Sequence, residues 1–504
     1  MTAIFDIRSF GAVGDGVVLD SPAINRAIAA AAKAGGGTVL FPAGRYLSFS
    51  LRLFSHIGLH LGPGAVLLAA DPATDGGAYD LPEPNPHDLY QDFGHSHWQN
   101  SLIWGDGVND VAITGPGLID GAGLTSKGPG AKWAKRKGYF PESMAGMSAA
   151  ELAAEDPDEA LMRGLGNKAI ALKNCRNVTL RDFSILKGGH FAILATGVDN
   201  LTIDNLRIDT DRDGIDLDAV RYVRVSNCQI NTPNDDALVL KSSGALGVAR
   251  ATEHVAITNC HVSGFDLGTL LDGTYGRTQQ VSPDRDRVTG RIKLGTESHG
   301  GFRNIAISNC TVERSRGLAL ETVDGGVLED VSITNITMRE VTTAALFLRI
   351  GARLRAPEGT KPGPMRRIRF AHITAYDVDP RYASIIAGLP EQPVEDVTFQ
   401  DIRITYAGGL DVVTDPVPEK PDAYPEPSMF GTLPAYGLYV RHARGLHLRD
   451  IHLSTLAPDG RPAVWLEDVD GVRIDNLQTR NAQDTPRLVC RDVRGLMDDK
   501  GEMP

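Results

Sequence analysis

Two clusters of acidic residues lie close together in this chain. The first runs Asp209-Thr210-Asp211-Arg212-Asp213-Gly214-Ile215-Asp216-Leu217-Asp218, and the second is Asn234-Asp235-Asp236. One alternating apolar segment, Val223 to Ile230, separates them. If consecutive turns of a solenoid carry the two clusters, their carboxylates crowd into one patch. Like charges at short range raise one another's pKa, so one group keeps its proton while another stays ionised. An acid beside a base is what hydrolysis of a glycosidic bond requires. Asp-Gly and Asn-Asp-Asp are also common turn formers, and either cluster alone reads as a turn. Together, inside a repeat, they read as chemistry.

The repeat provides such turns. Segments beginning at Val178, Leu201, Val223, Val255, Ile305, Val331, Ile368, Val397, Leu446 and Val472 share one pattern, apolar at the first, third, sixth and eighth positions. The first and third positions alternate as in a strand. The phase then shifts at the fifth position, held by Asp182, Asn205, Asn227, Asn259, Asn309, Asn335, His372, Asp401, Asp450 and Asn476. Asn and Asp tolerate the backbone that a bend demands. The shortest steps, from 178 to 201 and from 201 to 223, are one coil of a parallel β-helix. The predicted fold class is therefore all-β: a right-handed parallel β-helix, one solenoid over residues 1–504, with a short N-terminal capping helix and long loops. Cys228, Cys260 and Cys310 fall at the inward sixth position and read as a column of small core residues.

Residues 1–50 form the predicted cap. Ser21 is placed as helix cap and Pro22 at the first helical position, before an Ala-rich stretch. Such a helix covers the end of a solenoid, which otherwise exposes apolar residues. Excursions are expected at 71–100, at 124–166 (partly helical, with a basic run from Lys132 to Lys137), at Asp266 to Arg287, and at 408–436. The Asp266 to Arg287 loop is placed either as a cleft wall or as a plain loop. Trp98, Trp133 and Tyr139 either stack on sugar rings or anchor their loops.

The totals agree with a globular chain. It has 504 residues, 42% hydrophobic and 23% charged, with 55 glycines for tight turns. A net charge of -12 argues against a nucleic-acid partner. The five cysteines include no Cys-x-x-Cys pair, so neither a metal site nor a disulfide framework is expected. No apolar stretch reaches membrane-spanning length, so no membrane partner is expected. The N-terminus shows no export signal. The expected compartment is the cytoplasm for the chain as written, or the periplasm or exterior if a leader has been removed.

The segments Phe10 to Gly16, Gly117-Leu118-Ile119-Asp120-Gly121, Asp211 to Asp216 and Asn234 to Ser242, in this order, resemble glycoside hydrolase family 28, the polygalacturonases. The resemblance implies three catalytic aspartates, Asp213, Asp235 and Asp236, with no metal and no organic cofactor. Asp235 would protonate the leaving oxygen, while Asp213 and Asp236 activate water, with inversion. Inversion suggests that Asp235 stands roughly 6.5–9.5 Å from the water-activating carboxylates. The implied partner is a pectic oligosaccharide or polysaccharide, and the long loops suggest exo action. The rivals are hydrolysis of a rhamnose-containing pectic linkage, a pectate-lyase-like elimination, and a non-enzymatic β-helix glycan-binding protein.

Two departures from the family pattern bear on specificity. The family's Gly-His-Gly is missing from Thr289 to Glu297, and its Arg-Ile-Lys coil reads Gly317 to Thr322 here, with Ala319 and Glu321 in place of cations. Weak action on plain oligogalacturonate is expected, and adding two cations there by Ala319→Arg with Glu321→Lys is expected to damage activity on the native substrate. The candidate substrate-binding residues are His190, Lys241, Arg291, Lys293, Glu297, His299, Glu321 and Arg349, with Lys241 and Lys293 foremost. Each also fits a structural salt bridge or a solvated charge.

Overall fold

The computed structural model describes residues 3–133, 141–156, 158–480 and 485–498. Strands of successive coils pair in parallel, in the register of the repeat. Val178 is level with Leu201, then Val223, Val255, Ile305, Val331, Ile368, Val397, Leu446 and Val472. The fold is a parallel β-helix, as predicted. A representative coil has three strands, Asp199–Asp204, Arg207–Asp209 and Asp213–Asp218. The third strand of each coil builds the face that matters here. Its members are β1 (Lys168–Lys173), β2 (Phe191–Thr196), β3 (Asp213–Asp218), β4 (Leu238–Lys241), β5 (Ile292–Leu294), β6 (Leu318–Thr322), β7 (Leu346–Ile350) and β8 (Ser384–Ala387).

The alternation of strand side chains explains the core. In β3, Ile215 and Leu217 join the apolar interior, while Asp216 and Asp218 bond to groups outside it. Each such Ile, Val or Leu contributes about 1.5–3 kcal/mol by leaving water. Cys228, Cys260 and Cys310 are buried in the predicted column, and their thiols donate to the carbonyls of Ser226, Thr258 and Ser308. All five cysteines are free thiols.

Every fifth-position residue named above has a positive φ, from 50° at Asp401 to 71° at Asp182. The left-handed backbone is the bend, and Asn and Asp lose least there. A second left-handed column, just before the first apolar position, runs through Asn177, Asn200, Tyr222, His254, Asn304, Asp330, Arg367 and Asp396. Tyr222 and Arg367 carry no turn signal, so residue type did not reveal this column.

The capping helix α1 spans Ser21–Lys33 and buries Ile24, Ala27, Ile28 and Ala31 against the first coil. Its cap differs from expectation. Asp20 is the N-cap residue, and its carboxylate accepts from the backbone N–H of Val13 and Gly14, at 2.7 and 3.0 Å, instead of capping the helix. Ser21 is the first helical residue, and its hydroxyl accepts from the Phe49 N–H. The 124–166 excursion contains the helix Ala149–Glu155, closed by a Ser148–Glu151 capping box. Among the described residues, no helix is long and apolar enough to cross a membrane.

Candidate active site

The two acidic clusters do stack. Ile215 pairs with Leu238, and the Gly214 N–H donates to the Asp236 carbonyl at 3.0 Å, which sets Asp213 beside the Asp235-Asp236 turn. Asp213, Asp235 and Asp236 each offer a carboxylate oxygen within 4.8 Å of the others. That is shorter than the separation expected for an inverting pair. Adjacent coils lie only about 4.8 Å apart, and two of the three residues are neighbours in sequence, so one patch cannot space them wider.

Cations surround the trio. Arg212 donates through Nε and Nη2 to Asp235 Oδ2, at 3.1 and 2.7 Å. Arg291 Nε donates to Asp236 Oδ1 at 2.6 Å, and Lys293 Nζ is 3.3 Å from Asp236 Oδ2. Lys241 Nζ lies 3.3 Å from Asp213, 2.8 Å from Asp216 and 3.8 Å from Glu297. His95 reaches in from the 71–100 excursion to Asp216 Oδ2 at 2.9 Å. The trio's oxygens are close enough to hold a divalent cation, but the cations at its flanks already neutralise it.

These neighbours divide the protonation. Burial, and then the Asp235 carboxylate, push Asp213 well above the ordinary value, against the pull of Lys241. Burial also opposes ionisation of Asp235, but Arg212 and the hydrogen bond from Asp213 outweigh it and hold Asp235 low. Asp236 likewise stays below its ordinary value, because Arg291 and Lys293 outweigh its burial. Of the pair, Asp213 is the one pushed towards its protonated form and Asp235 the one held ionised, and the two titrate as a coupled pair.

A pocket of about 430 Å³ opens over this patch, lined by Asp235, His190, Arg212, Asn234, Arg291, Arg316, Arg355 and Glu426, among others. All four excursions wall it, through Asp92, through Pro129, Met144 and Asp156, through Pro283 and Asp284, and through Tyr424. Asp235 is the member of the trio that reaches the pocket, with its side chain 25% exposed. Asp213 and Asp236 lie just beneath. His190 is neutral: burial first, then Arg212 and His95, push its imidazole well below the ordinary value. Its Nδ1 is buried with no hydrogen-bond partner among the described residues, which leaves it for a sugar hydroxyl.

The candidate ligands separate into two groups. His190 and Arg291 line the pocket. Lys241, Lys293, Glu297 and Glu321 are buried beneath it in ion pairs, so the two foremost candidates hold the aspartates and do not face the pocket. His299 lies off the lining, its Nδ1 also buried with no hydrogen-bond partner among the described residues. Arg349 is displaced altogether. It donates to the carbonyls of Gly388, Glu419 and Lys420, at 3.1, 2.9 and 3.2 Å, and its guanidinium lies over Phe430. It anchors the 408–436 excursion. Trp98 is an anchor too, fully buried with its indole N–H on Thr196 Oγ1 at 3.0 Å. Trp133 is half-buried and its N–H donates to the Leu89 carbonyl. Tyr139, with Lys135, Arg136 and Lys137, lies outside the described residues. Sequence reasoning missed His95, Arg316, Arg355, Tyr424 and Glu426, which arrive on excursions or a neighbouring coil. Arg212 sat inside the quoted motif, and its place between two aspartates was a usable signal.

Known proteins share sequence and fold with this chain. Residues 4–59 match the family model "Rhamnogalacturonase A/epimerase, pectate lyase-like". A probable polygalacturonase of Vitis vinifera is 25% identical over 457 residues, covering 86% of this chain and 83% of that protein. The chain is thus similar to a polygalacturonase along most of its length. Two solved structures share its fold. A hyperthermoactive exopolygalacturonase from Thermotoga maritima superposes with a TM-score of 0.59 at 22% identity, over 80% of this chain and 87% of that one. A family 28 exopolygalacturonase from Yersinia enterocolitica gives 0.61 at 17% identity, over 98% and 78%.

The chain departs from the polygalacturonases' cationic coil for a visible reason. Ala319 packs in an apolar cluster with Phe347, Tyr382, Met429, Phe430 and Tyr439, beneath the 408–436 excursion. Glu321 is buried, accepting from Thr296 Oγ1 and lying 3.6 Å from Lys293 Nζ. An arginine at position 319 would put its guanidinium into this apolar cluster and displace the excursion, so Ala319→Arg adds no clamp there.

Proposed function

We propose that this chain is a glycoside hydrolase that removes units from the end of a pectic oligosaccharide. The observation that carries this is the trio Asp213, Asp235 and Asp236, in polygalacturonase register, at the floor of a pocket lined by residues of all four excursions. Asp235 meets the glycosidic oxygen, because it alone of the trio reaches the pocket. Asp213, directly behind, holds the proton that passes through Asp235 to the leaving sugar, in place of the water-activating role that the family resemblance implies for it. Asp236, kept ionised by Arg291 and Lys293, takes a proton from the attacking water. The bond from the anomeric carbon to the leaving oxygen breaks as the bond to water forms. The inverting course rests on the family resemblance and not on the carboxylate spacing. The excursions that line the pocket support exo action, since a chain running through needs two open ends.

Chromatography of products from a panel of pectic oligosaccharides tests the proposal. Single units released stepwise are expected. A ladder of internal fragments would refute exo action, and an unsaturated, ultraviolet-absorbing product would refute hydrolysis. Proton NMR of the first-formed anomer reads the stereochemistry, with inversion expected.

A further inference from the structure

The most heavily paired carboxylate in the pocket is one that no step above uses. Glu426, 3% exposed, comes from the 408–436 excursion and lines the pocket. Arg291 grips it with both terminal nitrogens, Nη1 to Oε2 at 2.9 Å and Nη2 to Oε1 at 2.7 Å. Arg316 Nη1 approaches Oε1 at 3.5 Å. This is the two-pronged geometry by which a guanidinium recognises a free carboxylate. Arg316 is also held by Asp284, at 2.7 and 2.8 Å, and Arg291 by Asp236. Two guanidiniums and Lys293 therefore face three carboxylates, all supplied by the protein. An acidic sugar entering here finds the guanidinium donors occupied and none of these cations left over for its own carboxylate.

The segment carrying Glu426 is fixed in place. Met429, Phe430 and Leu433 are buried in an apolar cluster with Phe347 and Tyr439. Arg349 holds the carbonyls of Glu419 and Lys420, and the Ala352 N–H donates to the Pro421 carbonyl at 2.6 Å. Swinging Glu426 out would break these contacts together, so it is a permanent part of the pocket wall.

We propose that Glu426 is a built-in carboxylate filling the fork of Arg291 and Arg316, so that the pocket position beside Asp236 accepts a neutral sugar and rejects a uronate. This rests on the proposed function and adds the substrate class: a pectic oligosaccharide in which a neutral sugar sits at that position. Emptying the fork, by Glu426→Ala, turns the same two arginines into a uronate site.

Two measurements on the full chain separate this inference from the reading beneath it. Calorimetric titration with galacturonic acid and with galactose needs no turnover. Wild type is expected to bind galacturonic acid no better than galactose. In Glu426→Ala the affinity for galacturonic acid should rise at least tenfold, with galactose little changed. Equal galacturonic acid affinity in wild type and a folded Glu426→Ala would overturn the inference, whatever the activity. Should Glu426→Ala fail to fold, Glu426→Gln keeps the shape and removes the charge. A rise of a few-fold is then expected, and no rise overturns the inference. The second measurement is kcat/KM on oligogalacturonate and on oligosaccharides alternating rhamnose with galacturonate. Wild type should favour the alternating substrate, and the Glu426 variant should shift at least tenfold towards oligogalacturonate. A wild type that favours oligogalacturonate counts against the inference. A wild type that cleaves neither substrate defeats the hydrolase reading, while the titration still decides the role of Glu426.

Discussion

The bend of each coil and the outer side of the site face are both columns of side chains stacked one coil apart, yet they are built oppositely. At the bend, like sits on like. Asn205 donates to Asp182, Asn335 to Asn309 and Asn476 to Asp450, each at 2.9–3.0 Å. The need is local, a left-handed backbone, and it recurs at every coil. Along the site face the residue changes at each step. Asp216 is followed by Val239, Lys293, Ala319, Phe347 and Ile385 in one register column. There each residue answers to whatever lies over it: His95 over Asp216, the acids beside Lys293, the excursion over Ala319 and Phe347. In a solenoid, a column that repeats serves the backbone, and a column that breaks marks what is bound or covered.

The sharpest test of that contrast sets Asp235→Asn against Asn227→Ala. Asp235→Asn should lower kcat about 10³-fold with an unchanged circular dichroism spectrum, whereas Asn227→Ala should leave kcat within twofold. Turnover near wild type in Asp235→Asn would end the catalytic assignment. Next is Arg291→Ala, which strands Asp236 and Glu426 in the interior and should cost about 3–5 kcal/mol in urea unfolding. The exposed Arg224, which bonds Asn200 and Thr202 on the outer surface, should cost no more than about 0.5 kcal/mol on truncation to Ala. A similar loss for both would erase the distinction between the two regions.

A pH series sharpens it further. Burial, opposed by Lys293 and Arg291, raises Glu321 from 4.5 to about 7. The folded chain therefore binds more protons than the unfolded chain between those values, and stability falls as pH rises through the window. Glu321→Gln should remove this loss, so its stability relative to wild type should be higher at pH 8 than at pH 5, by on the order of 3 kcal/mol. Parallel stability curves for the two proteins would show that Glu321 does not titrate in this way. A more modest stability effect belongs to the bend: Asn227→Ala should lose about 1–2 kcal/mol and Asn227→Gly distinctly less. Equal losses would mean that the side-chain ladder, and not the backbone, is what the column supplies.

Much of the architecture was legible because it is periodic. The ten repeat starts, the cysteine column and the bends all fall where the pattern put them. The acidic patch was legible too, since one coil of separation in sequence is one strand of separation in space. The roles of the cations were not. Lys241 and Lys293 looked like ligands because they flank the acids, but depth decides their function, and depth is set by loops laid over them. The second left-handed column was hidden because residues such as Tyr222 and Arg367 announce no turn.

By itself, the sequence determined a stack of parallel coils and the meeting of Asp213 with Asp235 and Asp236, because strand alternation and a fixed coil length leave those residues nowhere else to go. Only the tertiary structure decided what surrounds them. Glu426 reaches Arg291 across 135 residues, and His95 reaches Asp216 across 121. Both ride on excursions without a repeat, whose paths are set by packing against the finished solenoid and not by any local pattern.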